Sequence, residues 1–116
     1  MLTTQNIMIR LIALDGWPDI SVGRTLVVVG RHPQCDVRLE SAQVSRRHCC
    51  LAELNGEVLV RDLGSRNGIW INGRRVRSGR LQPGDELSIA HLGFRLDVSL
   101  EHQATLIDRT ERSVRE

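Results

Sequence analysis

The sequence predicts an all-β sandwich of short, twisted antiparallel strands, and three observations carry that expectation. Aromatic residues make up only 3% of the 116 residues, so the core must come from Leu, Ile and Val, side chains that favour a pleated sheet. Turn residues punctuate the aliphatic runs, and the two Asn-Gly dipeptides at 55–56 and 72–73 are the strongest short-range hairpin signal a sequence offers. No segment carries a clear helical period. About ten strand-like segments between residues 7 and 100 then argue for a sandwich.

Taken in order, residues 1–6 are polar and are read as a flexible N-terminus. Residues 7–14 (IMIRLIAL) are aliphatic and short enough for a first strand, and 15–23 (DGWPDISVG) have turn chemistry at both ends. The run 25–29 (TLVVV) is read as a strand covered on both faces or nearly so, ending at Gly30. Pro33 keeps 31–35 out of a central strand, whereas 36–39 alternate polar and apolar before a polar loop at 40–43. Segments 48–54 and 57–63 pair across Asn55-Gly56, and 69–71 returns through 74–76 across Asn72-Gly73. Residues 81–85 (LQPGD) form a turn, and 86–89 and 93–100 close the sandwich. The charged stretch 101–116 lacks an apolar stripe and is read as a flexible tail, which leaves one domain at 7–100.

Charge adds the first functional hint. The net charge is only +2, but every one of the 16 basic residues is arginine. Residues 31–80 hold ten arginines against five acids, a net of +5, while the rest of the chain holds six against nine, a net of −3. Such a local excess suggests an anionic partner.

Other classes are disfavoured by what the chain lacks. Three cysteines, two of them adjacent (Cys49, Cys50), make no disulfide framework, so a reducing, cytoplasmic compartment is expected. No apolar run approaches the roughly 18 residues a membrane span requires. His48 and Cys49 point to opposite faces of a strand and no ligand pair has metal spacing; Asp62 has no partner carboxylate. No enzyme, metal or cofactor is expected. Nucleic acid is disfavoured too, because base-stacking aromatics and a groove-reading helix are missing.

What remains is three loop-like segments inside residues 29–73: Gly30-Arg31, Ser45-Arg46-Arg47-His48 and Ser65-Arg66-Asn67-Gly68. Loops at one end of a sandwich cluster, so segments far apart in sequence can converge. The planar fork of arginine suits phosphate, serine hydroxyls and backbone N–H groups complete such a site, and the Asn67 amide can grip a peptide backbone. Arg46 and Arg47 alternate faces if extended, so only one is expected to reach a ligand.

Together with Asn72-Gly73, these motifs resemble those of the forkhead-associated (FHA) domain over roughly residues 7–100. The resemblance implies an FHA/SMAD-like sandwich of eleven strands that binds phosphothreonine-containing protein segments, written by a Ser/Thr kinase, through loops at one end. By position, Arg31 would hold the peptide near the phosphate, Ser45 and Arg46 would bind the phosphate, and Asn67 would bond the peptide backbone. Gly30, His48 and Gly68 would support the loops. The sequence departs from the family at Arg66, where Thr is frequent, and at Ile69; Arg66 would add a phosphate contact or shift the preferred ligand. A phosphate-independent interaction or assembly module on the same fold is the alternative. The tail adds Thr105 with Asp108 three residues on, which implies self-association through a phosphorylated Thr105, against the plainer reading of an inert tail. A phosphate brings nearly two charges and three acceptors, so three charge-assisted bonds would put about 4 to 9 kcal/mol at stake before dehydration.

Overall fold

The structure, a computed structural model, describes residues 6–101. Apart from residues 6 and 101, the expected N-terminal segment and tail, with Thr105, lie outside the described residues. Eleven strands run in chain order: β1 (Asn6–Ala13), β2 (Ile20–Ser21), β3 (Val27–Gly30), β4 (Val37–Arg38), β5 (Cys49–Leu54), β6 (Glu57–Asp62), β7 (Ile69–Ile71), β8 (Arg74–Val76), β9 (Ser78–Leu81), β10 (Glu86–Ile89) and β11 (Leu92–Glu101). Among the described residues there is no helix, as the sequence implied.

The strands form a six-stranded sheet, β2-β1-β11-β10-β7-β8, and a five-stranded sheet, β4-β3-β5-β6-β9. Pairing is antiparallel except between β3 and β4. One core lies between the sheets, with Leu11, Leu87 and Phe94 from the first meeting Val29, Leu51 and Val60 from the second. Period-two alternation sets this up: in β6, Val58 and Val60 are buried while Arg61 is exposed. Both Asn-Gly dipeptides make the anticipated tight turns, with Asn55 and Asn72 in the left-handed region at φ 54 and 50.

Three sequence expectations need correction. The 25–29 run is not covered on both faces: the strand begins at Val27, Leu26 is 56% exposed, and only its end (Val29, Gly30) is buried. Its outer face is left partly exposed by the described residues, so the β-branched run expressed strand propensity rather than two-sided burial. Strand β2 lies within 15–23, where the sequence showed turn chemistry at both ends and no strand was expected; it is held on the edge of β1 by Leu11↔Ile20 pairing and the Val22 N–H bond to the Ile9 carbonyl (2.9 Å). Strand β9 was not foreseen, and Leu81, assigned to a turn, is its fully buried last residue. Ser-Gly-Arg-Leu carries almost no strand signal, and its pairing with β6 alone makes it a strand.

Register decides where the loops go. Val29 near the end of β3 lies opposite Cys49 at the start of β5, and Cys49 lies opposite Asp62 at the end of β6. The segments after β3, before β5 and after β6 therefore emerge at one end of the sandwich.

Candidate functional site

Short bonds stitch these segments together. The Arg31 N–H donates to the Ser45 carbonyl (2.9 Å) and the His32 N–H to the Arg46 carbonyl (3.1 Å), laying the first loop against the second. So close an approach explains Gly30: a Cβ there would strike the Arg46 carbonyl oxygen and come within 2.9 Å of the Arg47 Cα, both backbone atoms that cannot swing away.

His48 ties the second loop to the third. Its ring is fully buried; Nδ1 accepts from the Ser45 N–H (3.0 Å), which leaves Nε2 to donate to the Gly68 carbonyl at 2.7 Å. The Ser45 hydroxyl in turn accepts from the Arg66 N–H (3.0 Å). Gly68 itself has φ 75 and lies against the Arg75 guanidinium, with the Arg75 Cζ 2.7 Å from where a Cβ would stand.

Sequence reasoning missed the residue that shapes the third loop. Asp62 accepts from the N–H groups of Gly64 and Ser65 (both 3.0 Å) and from the Ser65 hydroxyl, which accepts from the Gly68 N–H at 2.8 Å. A carboxylate followed two and three residues later by Gly and Ser is an Asx-type turn signal, so Asp62 was legible as a loop builder although it has no catalytic partner. Gln43 was missed too, and nothing in the sequence pointed to it. Its backbone carbonyl (2.7 Å) and side-chain Oε1 (3.0 Å) both accept from Asn67 Nδ2. With its N–H donors engaged there, Asn67 keeps its Oδ1 as an acceptor for a ligand N–H.

The result is a depression of about 250 Å³ lined by Arg31, Gln43, Ser45, Arg46, Arg66 and Asn67, among others. All five predicted ligand contacts come together there, and Arg47 is not part of the lining. Arg31 is braced through Nε on the Val44 carbonyl (3.0 Å), which leaves its terminal amino groups for a ligand. Among the described residues none of Arg31, Arg46 and Arg66 is ion-paired, although nearby Arg38 is paired to Glu40 at 3.2 Å. Half-buried His32, beside Arg46, is held below its ordinary pKa, first by lost hydration and then by the charges of Arg46, Arg47 and Arg38. One further cation is thus unwelcome here.

The two adjacent cysteines are both buried, Cys49 in the core and Cys50 toward the outer face, and all three cysteines are free. Burial pushes the Cys49 thiol far above its ordinary range, so it cannot serve as a thiolate nucleophile. Among the described residues no group of His, Cys, Asp and Glu side chains could hold a metal ion, and no helix is long and apolar enough to cross a membrane.

Comparisons with known proteins identify the family and the fold. The family described as the FHA domain matches residues 27–90. The chain is 45% identical over 67 residues to the oxoglutarate dehydrogenase inhibitor of Corynebacterium efficiens, a match covering 58% of this chain and 46% of that protein. It is also 45% identical over 67 residues to the glycogen accumulation regulator GarA of Mycolicibacterium smegmatis, covering 58% and 41% of the two chains. The match spans less than half the length of either relative. Among solved structures, one from a study of phosphothreonine-dependent FHA domain interactions aligns with TM-score 0.72 at 26% identity, over 78% of this chain and 95% of the other.

Proposed function

This chain belongs to the FHA domain family, and on that footing we propose that it binds phosphothreonine-containing segments of partner proteins through the loops at one end of its sandwich. The chain is an interaction module and not an enzyme, and binding is switched by phosphorylation of the partner by a Ser/Thr kinase. One observation carries the site assignment: three arginines that have no ion-pair partner among the described residues, a serine hydroxyl and an amide oxygen converge on a single depression at residues 31, 45, 46, 66 and 67. Arg46 and Ser45 take the phosphate oxygens, Arg31 and Arg66 flank them, and Asn67 Oδ1 receives a backbone N–H of the peptide. Each role uses an atom that the loop bonds leave available.

The relatives are named as an inhibitor and a regulator, roles that a binding module without chemistry of its own can serve. A regulatory partner recognised only when phosphorylated is the corresponding proposal here. Titration against a phosphothreonine peptide library and its unphosphorylated twins tests it: tight binding confined to phosphorylated members is the expected result, and equal binding of both sets refutes the reading.

His32 supplies a second, independent readout. Lost hydration and then the charges of Arg46, Arg47 and Arg38 hold its pKa below the ordinary value in the free protein, and a phosphate dianion beside Arg46 would offset the charge part of that shift. The NMR titration midpoint of His32 therefore moves upward when a phosphopeptide is bound. A midpoint that stays in place, or falls, means that the anion sits elsewhere.

A further inference from the structure

Among the described residues a second basic depression, larger than the proposed phosphate site, lies apart from it. On the other side of the loop 64–68 lies a hollow of about 800 Å³, against about 250 Å³ for the first, with Arg61, Arg75 and Arg77 in its lining. Two strands and the bend between β8 and β9 deliver these arginines for separate reasons. Arg61 takes the outward register of β6, opposite Ser78 of β9. Arg77 precedes β9, where its carbonyl accepts the Asp62 N–H at 2.8 Å. Arg75 stands opposite Trp70 across the second Asn-Gly hairpin, its guanidinium 5.3 Å from the Trp70 ring centroid.

The hollow contains one acid, Asp62, and that acid is already engaged. Its oxygens are taken by the N–H groups of Gly64 and Ser65 and by the Ser65 hydroxyl, as the loop requires. Among the described residues none of Arg61, Arg75 and Arg77 has an ion-pair partner, whereas Arg80 on the neighbouring strand is paired to Glu57 at 3.5 Å. Three like charges around one concavity repel one another, and the phosphate reading does not use them.

The two hollows share one wall. Ser65 and Gly68 line the larger, Arg66 and Asn67 the smaller. A five-residue loop spans at most about 17 Å even when extended, so about five or six residues of extended peptide bridge from one hollow to the other.

We propose that the hollow formed by Arg61, Arg75 and Arg77 is a second anion subsite, which takes a run of acidic residues in the same partner segment that places its phosphothreonine against Arg46. The inference rests on the phosphothreonine reading and adds a second requirement to it. The phosphate decides whether the segment binds, and the acidic run decides which phosphorylated segments bind well. Because the second contact is made within an already docked chain, it gains from a high effective concentration. Arg75 also packs against Trp70 and Gly68, so Arg61 and Arg77 are the positions to change.

The test uses short phosphothreonine peptides in a neutral Ala/Ser background, with and without a glutamate run set five residues to either side, plus the unphosphorylated forms. Each is titrated against the wild-type chain and the Arg61→Gln, Arg77→Gln double variant. Three exposed ion pairs lead to an expected gain of about tenfold from the glutamate run on one side, shrinking as ionic strength rises. The double variant keeps Arg75 and so should lose most of that gain, down to about twofold, while binding the short phosphopeptide as the wild type does, which also shows that it is folded. If the short phosphopeptide binds but glutamates on neither side tighten it, or if the double variant keeps the gain, this inference is overturned and the phosphothreonine reading stands. If the short phosphopeptide does not bind the wild type at all, the underlying reading fails and takes this one with it. Tighter binding of a DNA or RNA oligonucleotide than of the acidic phosphopeptide, abolished in the double variant, overturns the assignment to a peptide.

Discussion

Arg46→Ala should lower the affinity for a phosphothreonine peptide by roughly a hundredfold while leaving the fold intact. The loss follows from a bidentate, charge-assisted contact, worth about 3 kcal/mol when its phosphate partner is left unpaired. The intact fold follows from what the rest of the residue does. The Arg46 carbonyl accepts from the His32 N–H and from the Cys35 thiol, both at 3.1 Å, and alanine retains that carbonyl. Its side chain is exposed, so truncation should change stability by no more than about 0.5 kcal/mol. Calorimetric titration beside a thermal melt separates the two effects. Arg46→Lys, which keeps the charge and loses the fork, should fall in between. An alanine variant that binds as the wild type does would remove Arg46 from the site.

His48→Ala should cost both stability and affinity. The imidazole is fully buried and bonded at both nitrogens, so alanine leaves a cavity and strands the Ser45 N–H that Nδ1 accepted. The Gly68 carbonyl is less exposed to the loss, since it also accepts from the Ala90 N–H at 3.0 Å. Cavity and orphaned donor together come to about 3 kcal/mol, a fall in melting temperature on the order of 10 to 20 °C for a domain of this size. Affinity should fall as well, because Ser45 and Arg66 would lose the tie that holds their loops in register. Thermal unfolding with and without saturating phosphopeptide reads both consequences; a loss below about 1 kcal/mol would show that the loops hold together without the histidine.

Most of the site was legible in the residues because its chemistry is local. Arginine, serine and asparagine in short turn-like motifs announce an anion and a peptide backbone whatever the fold, and the order of those motifs carries the family resemblance. Both Asn-Gly hairpins were legible for a similar reason, since their backbone needs a positive φ that few residues accept. Asp62 could have been found by the same logic but was weighed only as a catalytic acid. Gln43 could not, because its bonds to Asn67 cross 24 positions of sequence and depend on the register of β5 against β3 and β6.

The sequence by itself determined the strand-rich class and the positions of the tight turns, and it singled out the arginine, serine and asparagine side chains that the loops bring to one depression. Each of these follows from the conformational or chemical preference of a few neighbouring residues. Only the tertiary structure decided that β2 and β9 are strands, that Leu26 beside β3 is exposed, and that Arg61, Arg75 and Arg77 share a second hollow. Those outcomes depend on which strand edges meet, and pairing across a sandwich is a property of the whole chain: Ser78–Leu81 becomes a strand because β6 offers it an edge, and three arginines line one hollow because β6, β8 and the start of β9 lie beside the same loop.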